Sequence, residues 1–209
     1  RYIGAFPFWD MATRDYEKVW MRVNREDLST MWSLVGRELM AVVNRRPSSV
    51  LRWLDIGIGD ARPLLQLLPL VRKRVKEVYL VGVDPSRRAL EKSGSNLATL
   101  GSFVRYKPVN AVWDVGRVTG QYDVVSSFHS VYYFARKREK YVDMMRDVVQ
   151  RIAPGGKGIV VTVSQAGAFR RLADTTQYCD WAYGEGTLDV LREIGASPRI
   201  REMTMRFYV

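Results

Sequence analysis

The chain has 209 residues, a length that suits one α/β domain with a full core. Hydrophobic residues make up 47% of it and aromatic residues 11%, a composition that excludes a disordered protein. The formal net charge of +11 makes nucleic acid or another anionic surface a possible partner, but the position of the charges favours solvated helix ends over a nucleic-acid site.

No apolar run reaches the roughly 18 to 20 residues that are needed to span a bilayer, so no membrane association is expected. The single cysteine, Cys179, allows no internal disulfide, which suits a cytoplasmic location. One histidine and one cysteine also cannot build a metal centre from the usual soft ligands, so no metal is expected.

Residues 1–46 are predicted to form an N-terminal helical arm and lid, with an aromatic-rich start and helices over about 10–24 and 26–43. The second helix has apolar residues spaced by three and four that should face inward: Leu28, Trp32, Val35, Leu39 and Val42. Residues 47–209 are predicted to form the core, and the two parts together make one compact domain.

The core opens on an apolar run, Val50–Ile56, that is long enough for one buried parallel strand. Gly57 and Gly59 follow it, and then an apolar helical segment over 64–71. Strand, glycine turn and helix in this order indicate a nucleotide-binding unit. The next strand, 77–83, ends in Asp84, where a carboxylate would hold a ribose diol.

Two alternatives to that interpretation are open. A dinucleotide dehydrogenase would have its third glycine at position 62, which is Arg62 here. The other alternative is a strand–helix turn that binds no ligand.

The rest of the chain continues the alternation of strands and helices. Strands are predicted over 103–109, 122–127, 159–163 and 199–209, helices over 86–100, 136–152, 166–176 and 187–195, a loop over 112–121 and a turn over 153–158. This order predicts a parallel sheet with right-handed crossovers.

Three of these stretches carry a family resemblance. The run from Asp55 to Ala61 resembles the acid-x-Gly-x-Gly-x-Gly first motif of class I S-adenosylmethionine-dependent methyltransferases, with Ala61 at a position that mainly needs a small residue. Asp84 resembles the acid at the end of their second strand, and the run 151–161 resembles their Pro-Gly-Gly approach to strand five.

The resemblance implies a methyltransferase with S-adenosylmethionine as its cofactor. It also implies a fold class: a Rossmann-like, doubly wound, mostly parallel α/β sheet with helices on both faces and an N-terminal helical lid. The sheet of that family ends in a sixth and a seventh strand, and the seventh is apparently missing from this sequence.

The segment from Tyr122 to Phe134 is similar to the corresponding part of histamine N-methyltransferase-like small-molecule methyltransferases. This similarity implies methyl transfer to an amine or imidazole-type nitrogen. It implies catalytic roles for His129, Tyr132 and Tyr133, and substrate contacts from Glu26 or Asp27, His129 and Tyr133. The cofactor residues implied by the two resemblances are Asp55, Gly57, Ile58, Gly59, Asp60, Asp84, Pro85, Ser86, Asn110, Ala111, Ser127 and Phe128.

Other interpretations stay open at this point. His129 could be a buried, hydrogen-bonded residue without a catalytic role. The basic surface could serve an RNA-directed methyltransferase or an RNA-binding, methyltransferase-like protein. The basic run over 72–76 follows the first core helix, so it is expected away from the strands' carboxyl ends and outside the substrate site.

Overall fold

The computed structural model describes residues 27–45, 48–164 and 182–202. Its helices are α1 (Asp27–Arg45), α2 (Arg62–Val71), α3 (Arg87–Ala98), α4 (Arg138–Gln150) and α5 (Gly184–Glu193). Its strands are β1 (Val50–Ile56), β2 (Glu77–Asp84), β3 (Val104–Asn110), β4 (Tyr122–Phe128) and β5 (Ile152–Val161). The predicted helices over 10–24 and 166–176 lie outside the described residues.

The five strands form one sheet in the order β3-β2-β1-β4-β5, and every neighbouring pair is parallel. The order reverses between β1 and β4, because the chain first winds outward through β2 and β3 and then returns to the other side of β1. In such a sheet the crevice beyond the strands' carboxyl ends at the reversal is where ligands bind.

Two apolar layers cover the sheet and confirm the doubly wound arrangement. Alternate residues of each strand point to opposite faces, so Trp53 belongs to one layer and Leu54 to the other. The first layer contains side chains of α1, α2 and α3, among them the predicted inward-facing Val35, Leu39 and Val42. The second layer contains side chains of α4 and α5.

The start of β5 differs from the prediction. The run 153–158 was expected to be a turn before the strand, but β5 already begins at Ile152. Tyr122 pairs with Ile152 while Val124 pairs with Lys157, so the residues between them form a bulge in the strand. The strand can contain this proline and glycine run because the extra residues do not pair with β4.

The predicted strand over 199–209 is not formed in its described part, residues 199–202. Arg199, Ile200, Arg201 and Glu202 are not in a strand, and the rest of the predicted strand lies outside the described residues. Within the described part of the chain, β3 and β5 are the two edges of the sheet. None of the helices described here is both long and apolar enough to cross a membrane.

Candidate functional site

The glycine loop joins β1 to α2 and is held against the end of β2. The backbone N–H groups of Gly57 and Ile58 both donate to the carbonyl of Val83, at 2.7 and 3.1 Å. Gly57, Gly59 and Ala61 all have positive φ, at 77°, 55° and 62°. The position of Ala61 therefore needs a left-handed backbone as well as a small side chain, which corrects the expectation that size alone matters there.

Asp84 is attached to this loop from the neighbouring strand. One carboxylate oxygen accepts the N–H of Gly59 at 2.9 Å, and the other accepts the N–H of Ser86 at 2.8 Å. The carboxylate is 8% exposed. The acid at the end of β2 is thus oriented by the glycine loop on one side and by the start of α3 on the other.

Ser130 lies directly over Gly57. A Cβ added to Gly57 would come within 2.3 Å of the Ser130 Cβ, so no other residue fits at position 57. The Ser130 hydroxyl donates to the carbonyl of Ile56 at 2.6 Å, and the Ser127 hydroxyl is hydrogen-bonded to the Ser130 hydroxyl. These bonds fix the segment after β4 against the end of β1.

Asp55 is buried under the loop in a short chain of hydrogen bonds. The indole N–H of Trp53 donates to the Ser126 hydroxyl at 2.7 Å, and Ser126 donates in turn to Asp55. Burial raises the pKa of Asp55 to about 7; the Ser126 hydrogen bond opposes this rise and the Asp84 charge adds to it. The Asp55 side chain therefore joins the end of β1 to β4, and its exposed fraction is only 2%.

Several predicted cofactor residues have structural contacts of their own. The Asp60 carboxylate pairs with Arg62 at 2.8 Å and lies 3.8 Å from Lys92. The Ser86 hydroxyl caps α3 by accepting the N–H of Ala89. These contacts do not test cofactor binding, which stays a prediction for both residues.

Asn110 and Ala111, at the end of β3, are bonded to the segment that carries Asp84. The side-chain amide of Asn110 donates to the carbonyls of Asp84 and Pro85, at 3.1 and 3.0 Å. The Ala111 N–H also donates to the Asp84 carbonyl, at 3.1 Å. With its N–H₂ group engaged in this way, Asn110 presents its carbonyl oxygen as the atom that could accept a hydrogen bond.

Ile58 and Phe128 are both buried in the first apolar layer. A Cβ at Gly82 would meet the Ile58 side chain at 2.5 Å, so Ile58 packs on the sheet. Phe128 packs edge-to-face on Trp32 of α1, with ring centroids 5.4 Å apart. Helix α1 thereby reaches the end of β4; its role as a lid and a cofactor contact from Phe128 stay predictions.

His129 follows β4 with a left-handed backbone, φ 55°, and donates its N–H to Val161 at 2.8 Å. Both ring nitrogens are shielded from solvent. Burial lowers the pKa of His129 to about 4, so the imidazole is neutral at physiological pH. Its placement beside the end of β5 agrees with the expected location at the strand ends, and its role stays a prediction.

Tyr132 and Tyr133 lie in the short turn that follows. Their ring centroids are 4.6 Å apart; Tyr132 is buried in the second apolar layer, while Tyr133 is 44% exposed. Of the pair, Tyr133 is the one with surface available for an acceptor. Glu26 and the side chain of Asp27, the predicted acidic substrate contacts, lie outside the described residues.

Ser130 and Trp53 belong to the site, although no sequence motif marks either of them. Ser130 has no motif to mark it, because its contact with Gly57 joins segments that are far apart in the chain. Trp53 and Ser126 could have been linked from the predicted strand alignment, since Asp55 pairs with Ser126 in the β1–β4 register. No group of three or more metal-ligating side chains occurs in the parts of the chain that the structure describes.

A parallel sheet of this order, with a glycine loop after β1 and an oriented acid at the end of β2, defines the class of Rossmann-like nucleotide-binding α/β proteins. Residues 26–195 match the model of a family described as a methyltransferase domain. The chain belongs to this methyltransferase domain family, which agrees with the family resemblance of its glycine loop and Asp84. No curated protein matches the chain by sequence.

Solved structures share the fold at low sequence identity. The CurJ carbon methyltransferase superposes with a TM-score of 0.62 at 17% identity, covering 82% of this chain and 50% of its own. An O-methyltransferase family protein from Burkholderia thailandensis gives a TM-score of 0.62 at 17% identity, covering 84% and 52% respectively. The chain thus spans about half the length of these structures.

Proposed function

We propose that this protein is an S-adenosylmethionine-dependent methyltransferase that acts on a small molecule with an amine or imidazole-type nitrogen. The observation that carries the proposal is the attachment of Asp84 to the glycine loop, through the 2.9 Å bond from the Gly59 N–H. It joins the ribose-binding acid and the loop into one preorganised unit at the strand reversal.

The residues of this unit fit the cofactor. A Cβ at Gly59 would have no atom within 4 Å, so open space lies before the backbone there. The Asp84 carboxylate would hold the two ribose hydroxyls, and the Asn110 carbonyl oxygen could accept from the adenine amino group. Asp55 and Ser130 would maintain the loop without touching the ligand.

When bound, S-adenosylmethionine supplies a methyl group that its sulfonium has already activated. The chain therefore needs to align the nucleophile and exclude water, and it needs no metal or strong base for an amine that is neutral at attack. For the neutral His129 to accept a hydrogen bond from the acceptor's N–H, acceptor binding must uncover one of its ring nitrogens, which are shielded from solvent. Tyr133, which is 44% exposed, could form an aromatic wall.

The nitrogen acceptor is supported by the resemblance of the segment 122–134 to histamine N-methyltransferase-like enzymes. The structural neighbours are named as a carbon methyltransferase and an O-methyltransferase family protein, so the shared fold is compatible with several acceptor atoms. Identification of the acceptor therefore requires a direct assay.

Calorimetry with S-adenosylmethionine and S-adenosylhomocysteine tests the cofactor site. Asp84→Ala should weaken binding by about 1.5–3 kcal/mol, the typical loss for a charged hydrogen-bond partner. Gly59→Ala should also weaken it, because the new methyl group enters the open space while the Asp84 contacts remain. Asp143→Ala, an exposed carboxylate on α4, is the control and should bind like the wild type.

Normal affinity in both Asp84→Ala and Gly59→Ala would disprove this cofactor site. With binding established, methyl transfer from S-adenosylmethionine to a panel of amines, imidazoles, phenols and oligonucleotides tests the acceptor class. His129→Ala should lower kcat/KM for a nitrogen acceptor by about tenfold or more and leave cofactor affinity within about twofold. Turnover of phenols or oligonucleotides alone would refute the nitrogen acceptor while leaving the cofactor site intact.

A further inference from the structure

A basic cleft lies at the opposite end of the sheet from the glycine loop. Four cations, Arg72, Lys73, Arg74 and Lys76, connect the end of α2 to the start of β2, and all four are exposed. With Val75, Ser102 and Phe103 they line a cleft of about 440 Å³. Val75 is 6% exposed and anchors the segment in the core, so the cations beside it extend into the cleft from a fixed backbone.

Among the described residues, no acidic side chain forms an ion pair with the four cations of the basic cleft. They differ in this from Arg138, which pairs with Glu193, and from Lys140, which pairs with Asp114. Glu77, the next residue along the chain, is bound by Arg105 at 3.1 Å. Positive charge of this density favours binding of an anion.

The side chains indicate which kind of anion. Arg72 lies over the ring of Phe103, with 5.4 Å between the guanidinium carbon and the ring centroid, and Phe103 is itself buried. No aromatic face is therefore presented in the basic cleft for base stacking. Long exposed side chains suit the repeated charges of a phosphodiester backbone, which binds through counterion release and without sequence recognition.

We propose that the basic cleft is a second binding site, which takes the phosphodiester backbone of a nucleic acid and is separate from the methyl-transfer site. An anionic membrane fits less well, because Leu70 is the one large exposed apolar side chain beside the cleft in the described part of the chain. The proposal does not depend on the identity of the methyl acceptor.

The test is fluorescence anisotropy with a labelled oligouridylate of about 12 nucleotides, titrated between about 50 and 200 mM salt. Four phosphate contacts predict that the logarithm of the binding constant falls with the logarithm of the salt concentration with a slope of about −2.8 for a single strand. The variant R72Q/K73Q/R74Q should reduce this slope by about 2 and weaken binding by about tenfold or more at the low-salt end.

The matched control is R117Q/K137Q/R201Q, which removes the same three charges from exposed side chains outside the cleft. It should bind nearly as the wild type does. Equal losses in the two triple variants would show that binding follows net charge alone, which overturns the site. If tripolyphosphate or a polyglutamate peptide binds as tightly as the oligonucleotide, the assignment to a nucleic acid strand is wrong.

Discussion

Asp55 and His129 both lie near the carboxyl ends of the strands, and burial displaces their pKa values in opposite directions. The pKa of Asp55 is raised to about 7 and that of His129 is lowered to about 4. Each buried group is therefore neutral at a pH where it would be charged in the unfolded chain. Because one group is an acid and the other a base, their effects on stability have opposite signs.

For Asp55, the folded state binds a proton that the unfolded state releases between about pH 4 and 7. Its contribution to stability is present at low pH and is lost as the pH rises through that window. For His129, the unfolded state binds the extra proton between about pH 4 and 6.5, so stability is lost as the pH falls. The two slopes should largely cancel in the wild type.

Single substitutions should separate the two slopes. Relative to wild type, His129→Asn removes the histidine slope and should gain stability as the pH falls from about 7 to 5, by about 2–3 kcal/mol. Asp55→Asn should gain stability as the pH rises over the same range, by a similar amount. Urea unfolding at several pH values measures both, and wild-type and variant curves that stay parallel would contradict the assignment.

Sequence patterns predicted the residues of the candidate site better than their contacts. The motif identified Gly57, Gly59 and Asp84, because a glycine turn and an acid at a strand end are visible in the sequence. The left-handed backbone of His129 and the contact of Ser130 with Gly57 were not predictable, since both depend on how the end of β4 packs on β1.

At the scale of elements, the bulge in β5 depends on Gly156. A Cβ there would lie 2.8 Å from the Asp123 carbonyl oxygen and 2.9 Å from that of Ala153. At Gly158 a Cβ would also meet an atom at 2.9 Å, but that atom is the end of the flexible Ile152 side chain. Backbone atoms cannot move as easily as the end of a side chain. Of these two positions, therefore, only position 156 sterically requires glycine.

Gly156→Ala should therefore lower the free energy of unfolding by about 1–3 kcal/mol, the usual cost of overpacking. Gly158→Ala is the matched control and should cost less than about 1 kcal/mol, because Ile152 can change rotamer. Chemical denaturation of both variants measures the difference. Equal costs would indicate that the bulge does not constrain position 156.

Element positions were predictable where hydrophobic periodicity was strong. Helix α1 and strands β1, β2 and β4 lie within two residues of the prediction, because each buries a regular apolar pattern. Strand β5 was predicted to begin too late, since its Pro-Gly-Gly run has the composition of a turn. Only the pairing with β4 shows that this run is a bulge within the strand.

At the scale of the whole molecule, the parallel sheet separates two regions with different chemistry. Every strand points its carboxyl end to the glycine loop, Asp84 and His129, and its amino end to the basic cleft. The carboxyl end has an oriented acid and small polar side chains, whereas the amino end has cations that form no ion pair with any residue the structure describes. This separation could not be predicted from net charge and composition alone, because it depends on the direction in which the strands run.

This separation predicts that the two sites act independently. S-adenosylhomocysteine at about 100 times its Kd should raise the free energy of unfolding by about 2.7 kcal/mol. The increase should be the same in wild type and in R72Q/K73Q/R74Q, because none of these three residues belongs to the glycine loop or contacts Asp84. The quantity to compare is the increase, since the substitutions alone can change stability through the lost charges beside the end of α2.

Urea denaturation with and without the ligand measures the increase in both proteins, and Asp84→Ala, which should show a much smaller increase, serves as the comparison. An increase in the triple variant that is about 1 kcal/mol or more below that of the wild type would mean that the two ends of the sheet are energetically coupled. Addition of the oligouridylate extends the test: its stabilisation should add to that of S-adenosylhomocysteine in the wild type, because binding at independent sites is additive.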